Sequence, residues 1–331
     1  MSRCKTRIAV SIGDLNGIGI ELALRSHETI SASVDPLYLI DREMLEQAAD
    51  LLHLPVPGNF SILAPDAAPF TIRPGQISAE AGAYSFASFK ASVDLCIEGH
   101  ADALCTLPIH KEAWYQAGLP YRGHTDALRD FFNTEAIMML GCPAMYVGLY
   151  TEHIPLKEVP ARIDRERLTR FLLDFRRETG AAEIAVLGLN PHAGDGGVLG
   201  DEETIIAQAI EAANQALQKS PAPHLRPDIA TSSQTREENP KCFIGPLVPD
   251  TAFTPALRSR FGYYVALYHD QGLIPLKALY FDESINVSLN LPIRRSSVDH
   301  GTAFDIAYSG RTLSTRSYLN AIRYLTRNSE R

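Results

Sequence analysis

The sequence contains no apolar run that approaches the roughly 20 residues of a membrane span. Its first apolar run, Ile8–Ile12, is too short to be the core of a secretory signal peptide. The formal net charge is -8, which argues against the broad basic face that binds nucleic acid or a membrane surface. We therefore predict a cytoplasmic protein with no nucleic-acid and no membrane partner, in which an anionic ligand needs a local cluster of cations.

Paired cysteines are also missing. The chain has five cysteines, an odd number without a Cys-x-x-Cys pair: Cys4, Cys96, Cys105, Cys142 and Cys242. This usage suits a reducing compartment, and the expected role of these residues is small apolar packing. What the chain does have is 331 residues with 45% apolar and 21% charged composition. Such values are typical of a globular protein large enough for two domains.

Short apolar runs alternate with segments of helical period, which predicts an α/β protein with a largely parallel sheet. The predicted strands are Ile8–Ile12, Leu37–Ile40, Ala103–Cys105, Ala144–Tyr150, Ile184–Leu187, Cys242–Ile244 and Tyr264–Leu267. The predicted helices are Ile20–His27, Arg42–Leu52, Ala81–Glu98, Lys111–Ala117, Thr125–Phe132, Asp164–Thr179, Asp201–Gln218 and Thr315–Arg327. The Pro- and Gly-rich connections are Leu54–Gly58, Ala67–Gly75 and Ser220–Pro227. We expect two halves fused around one cleft.

A glycine-rich turn, Gly13–Gly19, follows the first predicted strand and precedes a helix. Its glycine spacing does not match the G-x-G-x-x-G dinucleotide fingerprint. Two interpretations stay open beside a Rossmann turn: a tight strand-to-helix connection, or a loop that points Asp14 and Asn16 at a ligand. A second candidate, Gly123–Asp126, precedes a helix. Thr125 or Asp126 could cap that helix, or His124 and Thr125 could form an anion seat at its start.

Three histidines differ from the others in their surroundings: His153, His192 and His269 each follow an apolar run that could be a strand. Each would then lie at or beyond the carboxyl end of a strand, where open α/β sheets bind ligands. Asn190–Gly197 is rich in turn-forming residues, which predicts a shaped loop around His192. Neutral imidazoles are ligands for divalent metals, so a metal site made by the three is one interpretation, and ordinary surface or core histidines are the other.

Cations and hydrogen-bond donors are concentrated near the end of the chain, in Lys277, Asn286 and Leu291–Ala303 with its arginine pair. These residues supply the local positive charge that an acidic chain otherwise lacks, which favours a phosphate or carboxylate pocket. The alternative is a solvated loop that leads into a capped helix at Gly301-Thr302, with Asp299 as a structural partner.

Taken together, these motifs resemble the 4-hydroxythreonine-4-phosphate dehydrogenase (PdxA) family, whose order they follow across nearly the whole chain. They are Gly123–Thr125, Asn190–Gly197, Gly245–Leu247, Asp250-Thr251, Tyr268–Gly272 and Ser297–Ala303. The resemblance implies a two-domain α/β fold akin to the isocitrate and isopropylmalate dehydrogenases, not a Rossmann fold. It also implies a homodimer with active sites at the subunit interface. We expect a first domain of residues 1–123 plus 300–331 and a second domain of residues 124–299.

By the same resemblance, the metal ligands are His153, His192 and His269, one of which comes from the partner subunit. The implied substrate contacts are His124, Thr125, Lys277, Asn286 and Arg295, with Arg294 as an alternative for the last position. Asp250 matches an acidic position that faces the other subunit's site. Lys277, Asp250 and a metal-bound water are the candidate proton acceptors. At the glycine turn the chain departs from the family, since Leu15 and Ile20 replace two prolines.

The activity that this resemblance implies is oxidation of 4-phosphohydroxy-L-threonine with NAD or NADP and a divalent metal: zinc, magnesium or cobalt. The product, 2-amino-3-oxo-4-phosphooxybutanoate, would lose carbon dioxide to give 3-amino-2-oxopropyl phosphate for pyridoxal phosphate synthesis. Two alternatives remain at this point. One is a family relative that oxidises another phosphorylated hydroxy acid or a cis-dihydrodiol carboxylate, and the other is a metal-dependent phosphohydrolase. The sequence does not locate the NAD pocket.

Overall fold

The computed structural model describes residues 5–219 and 241–327, in which strands and helices alternate. The predicted connection Ser220–Pro227 lies outside the described residues. The chain forms two compact units: unit 1 contains residues 5–136 with 282–327, and unit 2 contains residues 137–219 with 241–281. The domain bounds expected from the sequence differ from these units. They placed residues 124–136 and 282–299 in the second domain, whereas in the structure these residues belong to unit 1.

Unit 1 is a sheet with helices packed against it. Its strands are β1 (Arg7–Ser11), β2 (Asp35–Leu39), β3 (Ser61–Leu63), β4 (Ala103–Thr106), β10 (Ile285–Leu289) and β11 (Arg295–Val298). Its helices are α1 (Gly19–Ser31), α2 (Arg42–Leu52), α3 (Ala79–Ile97), α4 (Lys111–Gln116), α5 (His124–Phe132) and α11 (Arg316–Arg327). The strand order is β3-β2-β1-β4-β11-β10, in which every pairing is parallel except that of β10 with β11.

This topology confirms the prediction that the fold is not a Rossmann fold. A Rossmann sheet is mostly parallel and is built from two consecutive βαβαβ halves. Here the strands beyond β4 come from the far end of the chain, after unit 2, and β10 runs antiparallel to its neighbour. The core on one side of unit 1 surrounds the fully buried Trp114, which packs with Phe89, Leu104 and Leu128.

Unit 2 contains a second set of parallel strands. Its strands are β5 (Ile137–Cys142), β6 (Met145–Leu149), β7 (Ile184–Leu187), β8 (Phe243–Leu247) and β9 (Tyr263–Ala266). Its helices are α6 (Val159–Arg162), α7 (Arg165–Thr179), α8 (Glu202–Lys219), α9 (Pro255–Arg260) and α10 (His269–Tyr280), with 3-10 segments at Leu156–Glu158 and Pro191–Gly197. The strand order is β5-β6-β9-β7-β8; β5 and β6 form an antiparallel hairpin, and β6, β9, β7 and β8 are mutually parallel.

The eight predicted helices and seven predicted strands are all present within a few residues of their expected bounds. The start of α7 follows the sequence closely, since Asp164 caps it by accepting from the backbone N of Arg167 at 2.8 Å. Gly180 ends the same helix in the left-handed conformation. The structure also contains elements that were not predicted: β3, β5, β10, β11, α6, α9 and α10.

The described cysteines form no disulfide: Cys105 and Cys142 are buried, and Cys96 and Cys242 are half-buried. Nor does any helix in the described part of the chain combine the length and the apolar character that crossing a membrane requires.

Candidate functional site

The three histidines of unit 2 follow three neighbouring strands. His153 comes after β6, His269 after β9 and His192 after β7, and these strands are adjacent and parallel in the order β6-β9-β7. Their carboxyl ends therefore lie along the same edge, as the sequence predicted. Asp250 extends the row, because it follows β8, the parallel neighbour of β7.

Two of the imidazoles lie together. The ring centroids of His153 and His269 are 5.4 Å apart. The Nδ1 atom of His269 is 2.7 Å from Asp270 Oδ1. With the carboxylate as acceptor, Nδ1 carries the proton and Nε2 keeps the lone pair that a metal would bind.

His192 is not brought to this pair. It lies exposed in the segment Pro191–Gly197, where five successive residues have left-handed backbone angles. Within residues 5–219 and 241–327, no set of three His, Cys, Asp or Glu side chains gathers closely enough to hold one ion. The structure thus assembles two of the three predicted metal ligands and leaves the third on the neighbouring strand's loop.

A buried carboxylate fixes the beginning of that loop. Glu203 Oε1 accepts hydrogen bonds from the backbone N atoms of Leu189 and Asn190 at 2.8 and 2.7 Å. Its Oε2 accepts from Asn190 Nδ2 at 2.9 Å. Burial raises the pKa of Glu203, but these hydrogen bonds outweigh burial and hold the pKa below its usual value. A Cβ atom on Gly194 would lie 2.7 Å from Glu203 Oε2, so the loop can follow this path only with glycine there.

Lys277 lies on α10, eight residues beyond His269, which is about 12 Å along the helix axis at ~1.5 Å per residue. Its Nζ atom is 5.6 Å from the centroid of the Phe281 ring, at the distance of a cation–π contact. Asp250 is exposed.

In unit 1, four adjacent strands carry a row of polar side chains. Ser11 on β1, Thr106 on β4, Ser297 on β11 and Asn286 on β10 are successive cross-strand partners. Partners in register project to the same face of a sheet, so the four form one polar strip. Asn286 Oδ1 is buried without a hydrogen-bond partner among the described residues.

Arg295 lies on the same face, two residues before Ser297. Its side chain is buried, with Nη1 donating to Ser288 Oγ at 3.0 Å and Nη2 to Thr106 Oγ1 at 2.6 Å. No described residue accepts from its Nε. Burial lowers the pKa of Arg295 to about 10, so the guanidinium remains charged at neutral pH. The result is a fixed cation whose Nε–H group has no acceptor among the described residues.

Its neighbour Arg294 projects to the opposite face, because successive strand residues alternate. Arg294 Nη1 donates to the carbonyl of Leu325 at 2.9 Å and Nη2 to that of Asp102 at 3.2 Å. These contacts tie β11 to the end of α11, which favours Arg295 over Arg294 as the ligand contact.

His124 is the first residue of α5 and lies near Arg295. Its ring packs edge-on against Phe89 and Trp114, with centroid distances of 4.8 and 5.4 Å. Burial, together with the Arg295 charge, lowers the pKa of His124 well below its usual value, so the imidazole is neutral at pH 7. Its Nε2 has no partner within the described part of the chain.

Gly123 is the N-cap residue of α5, so the interpretation in which Thr125 or Asp126 caps this helix is wrong. Asp126 Oδ2 instead accepts from the backbone N of Arg122 at 3.0 Å. Thr125 lies half-buried in the first turn. The helix start is therefore available for an anion, with His124 and Thr125 beside the unpaired backbone donors of the first turn.

The glycine turn between β1 and α1 is a tight connection. Asn16 is fully buried, where its Oδ1 accepts from Arg73 N at 2.8 Å and its Nδ2 donates to Gln76 O at 2.7 Å. Asp14 is also buried; its Oδ1 accepts from Asn16 N at 2.9 Å. Burial raises the pKa of Asp14 to about 6. Asp14 Oδ2 is buried without a hydrogen-bond partner among the described residues, so the interpretation in which Asp14 points at a ligand stays a prediction.

Sequence reasoning missed the residues that hold the candidate groups in place. No sequence motif marks Thr106, Ser288 or Glu203 as a site residue, because each acts only through a contact with a residue that is distant in the sequence. Gln271 lies inside the quoted motif Tyr268–Gly272 but was not singled out, and its contacts also depend on the fold.

The sequence profile of the pyridoxal phosphate biosynthetic protein PdxA matches residues 32–325. The chain is 52% identical over 322 residues to the 4-hydroxythreonine-4-phosphate dehydrogenase of Sulfurimonas denitrificans, with 96% of each protein covered. It is 48% identical over 319 residues to that of Campylobacter fetus, again with 96% of each covered. A solved structure of a 4-hydroxythreonine-4-phosphate dehydrogenase from Burkholderia phymatum is similar at 31% identity and a TM-score of 0.74, covering 97% of both chains. These similarities confirm the resemblance and the α/β fold, and the chain belongs to the PdxA family of pyridoxal phosphate biosynthetic proteins.

Proposed function

We propose that this protein oxidises 4-phosphohydroxy-L-threonine with NAD, or with NADP as the alternative cofactor, to 2-amino-3-oxo-4-phosphooxybutanoate. That β-keto acid then loses carbon dioxide to give 3-amino-2-oxopropyl phosphate for pyridoxal 5'-phosphate synthesis. The observation that carries the proposal is that a member of this family contains two sets of ligand-binding side chains. One is a fixed, buried cation in unit 1, and the other is a row of imidazoles at the strand ends of unit 2.

The anionic part of the substrate is assigned to unit 1. Arg295 supplies a charge that does not have to be ordered on binding, because Thr106 and Ser288 already hold its guanidinium. Asn286 supplies an amide on the same face. His124 and Thr125 add the start of α5, and a neutral His124 can donate or accept at Nε2.

The imidazoles of His153, His192 and His269 are assigned to a divalent ion. They fit such an ion in donor type and in their common position at the carboxyl ends of adjacent strands. Imidazoles accept zinc or cobalt readily and magnesium less tightly. When bound, the ion would act as a Lewis acid toward the hydroxyl that is oxidised and the carbonyl that replaces it.

Two residues of unit 2 are assigned to charge and proton handling. Lys277, on the helix that begins with His269, would hold an anionic group of the substrate. Asp250, an exposed carboxylate at the end of β8, would take the proton of the hydroxyl that is oxidised, and a bound nicotinamide cofactor would supply the hydride acceptor.

We further propose a homodimer in which a histidine from the partner subunit completes each metal site. Two observations support it. Only two of the three imidazoles lie together within one chain. In addition, α10 and its end expose the large apolar side chains of Ile274 and Phe281, which are seven residues apart and so lie on one face of the helix, as in a helix that packs against a partner.

The test is an assay of the purified protein with NAD, 4-phosphohydroxy-L-threonine and, in turn, zinc, cobalt or magnesium. We expect NADH absorbance and carbon dioxide to appear together and only with metal. Release of inorganic phosphate without NADH would instead identify a metal-dependent phosphohydrolase. NADH formation with a cis-dihydrodiol carboxylate or another phosphorylated hydroxy acid, but not with 4-phosphohydroxy-L-threonine, would identify a different substrate within the same family.

A further inference from the structure

A single amide side chain joins the strand ends that carry the candidate metal ligands. The parallel ladder between β9 and β7 extends only to the pair Val186–Val265. Immediately beyond it, Gln271 is inserted between the two segments. Its Oε1 accepts from the backbone N of Leu267 at 2.8 Å, and its Nε2 donates to the carbonyl of Gly188 at 2.6 Å. The side chain thus takes the place of a peptide group where the strands separate.

The same chain of hydrogen bonds reaches the other ligand-bearing segments. Thr151 Oγ1 donates to the carbonyl of Leu267 at 2.6 Å, which links the segment before His153 to β9. On the far side, the backbone N of Gly188 donates to the carbonyl of Leu247 at 2.8 Å, at the end of β8. Thr151 and Gln271 are both buried, so water does not replace these contacts.

Close packing leaves the beginning of α10 little freedom. A Cβ atom on Gly272 would lie 2.4 Å from Val147 Cγ1 and 2.9 Å from Ala266 Cβ, so the helix rests directly on β6 and β9. Gln271 is adjacent to this contact and two residues from His269. Its two hydrogen bonds therefore set where the His269 segment lies relative to the segment that leads to His192.

We propose that Gln271 is a positioning residue for the imidazoles, and that through Leu267 and Gly188 it fixes the His269 and His192 segments from which each imidazole reaches the metal site of its own chain or of the partner. The proposal rests on the metal site assigned under the proposed function. Glutamine is specific for this role, because both a neutral donor and a neutral acceptor are needed at the end of a side chain of this length. Glutamate would present an oxygen to the carbonyl of Gly188, and methionine would leave both backbone groups unpaired.

The experiment is titration of the full-length, metal-free protein with Co²⁺ alone, followed by calorimetry and visible absorption, without substrate or NAD. The variants are Gln271→Glu and Gln271→Met. The matched control is Gln215→Met, which alters an exposed glutamine of the same unit whose Nε2 donates to Glu211 Oε1 at 3.0 Å. We expect the affinity for Co²⁺ to fall about tenfold or more in both Gln271 variants, with an altered visible spectrum, and to be unchanged in the control.

A second pair of variants guards against simple misfolding. Thr151→Val keeps the shape of the side chain but removes the hydrogen bond to Leu267, and Thr151→Ser retains it. We expect a smaller loss of Co²⁺ affinity in Thr151→Val, because the backbone N of Thr151 also donates to Leu267 O at 3.3 Å, and parental affinity in Thr151→Ser.

The thermal midpoint of the metal-free protein separates positioning from stability. A Gln271 variant that melts earlier but binds Co²⁺ with parental affinity and spectrum would overturn the proposal, since Gln271 would then be only structural. If the parent itself binds no Co²⁺, the assigned metal site fails and this inference fails with it. If the parent binds and the Gln271 variants bind equally, this inference alone is overturned.

Discussion

The two units hold their candidate residues in different ways. In unit 1, Arg295 and Asn286 lie on paired strands, and the guanidinium is fixed by Thr106 and Ser288 on neighbouring strands. In unit 2, the imidazoles lie beyond the strand ends, where buried side chains such as Gln271 and Glu203 replace the ladder. The hydrogen bonds of the sheet fix the position of a side chain on a strand, whereas a side chain on a connecting segment needs further hydrogen bonds to fix it. The unit 1 residues are therefore preformed, and those of unit 2 depend on a few buried hydrogen bonds.

The largest effect that this comparison predicts is on the metal ligands. His192→Ala should lose bound metal and lower kcat about 10³-fold, equivalent to about 4 kcal/mol, while the dimer persists. Metal analysis, steady-state kinetics and sedimentation would measure the three quantities. Unchanged metal content in this variant would remove His192 from the ligand set.

The next effect concerns the fixed cation. Arg295→Met should lower kcat/KM about 10²-fold, or about 3 kcal/mol, because it removes a buried charge from the anion seat, and metal content should stay at the parental value. Arg294→Met is the matched control, since Arg294 donates to the backbone carbonyls of Leu325 and Asp102 on the opposite face of the strand. Equal losses in the two variants would contradict the assignment of Arg295.

A third prediction uses the buried carboxyl group of unit 1. The folded-state pKa of Asp14, about 6, lies above its usual value of 3.8, so folding disfavours the ionised form. Stability from this group is complete below the usual pKa and is lost as the pH rises toward 6. Asp14→Asn should therefore be more stable than the parent by about 2 kcal/mol above pH ~7, with little difference near pH ~4. Urea unfolding of both proteins at both pH values would measure this, and a stability difference between Asp14→Asn and the parent that is equal at the two pH values would refute it.

The buried carboxylate of unit 2 should behave in the opposite sense. The pKa of Glu203 is lowered in the folded state, so its contribution is present above the usual pKa and is lost as the pH falls through the folded value. Glu203→Gln should reduce the free energy of unfolding by about 1–2 kcal/mol at neutral pH, and the difference should shrink on acidification. Chemical unfolding across the acid range provides the measurement. A difference that grows on acidification would show that Glu203 does not anchor the loop as a carboxylate.

The sequence predicted the long helices and the buried parallel strands because their periodicity and caps are local signals. It missed α10, because Gly272 and Pro275 lie inside that helix and both disfavour it on propensity. Packing overrides propensity there, since Gly272 permits the close approach to β6 and β9. The sequence did not predict strands β10 and β11. Their polar residues, such as Asn286 and Arg295, instead favoured a phosphate or carboxylate pocket, with a solvated loop as the alternative.

The same limits apply to the candidate residues. The sequence placed the three histidines at strand ends, because an apolar run before a histidine is visible without a fold. It left Arg294 and Arg295 unresolved, because their difference is the alternation of β11, a strand that was not predicted. Gln271 and Glu203 required three-dimensional proximity: Gly188 is 83 residues from Gln271 in sequence.

Strands β10 and β11 belong to unit 1 but follow unit 2 in the chain, so during synthesis unit 1 is completed after unit 2. Arg295 leaves the ribosome 189 residues after Thr106, the side chain that orients it. All of unit 2 is made in this interval and can fold before unit 1 has received its last two strands. A nascent chain that ends before β10 therefore carries the histidine row but lacks Asn286 and Arg295, so under the proposed function the substrate contacts of unit 1 are completed only when translation is nearly finished.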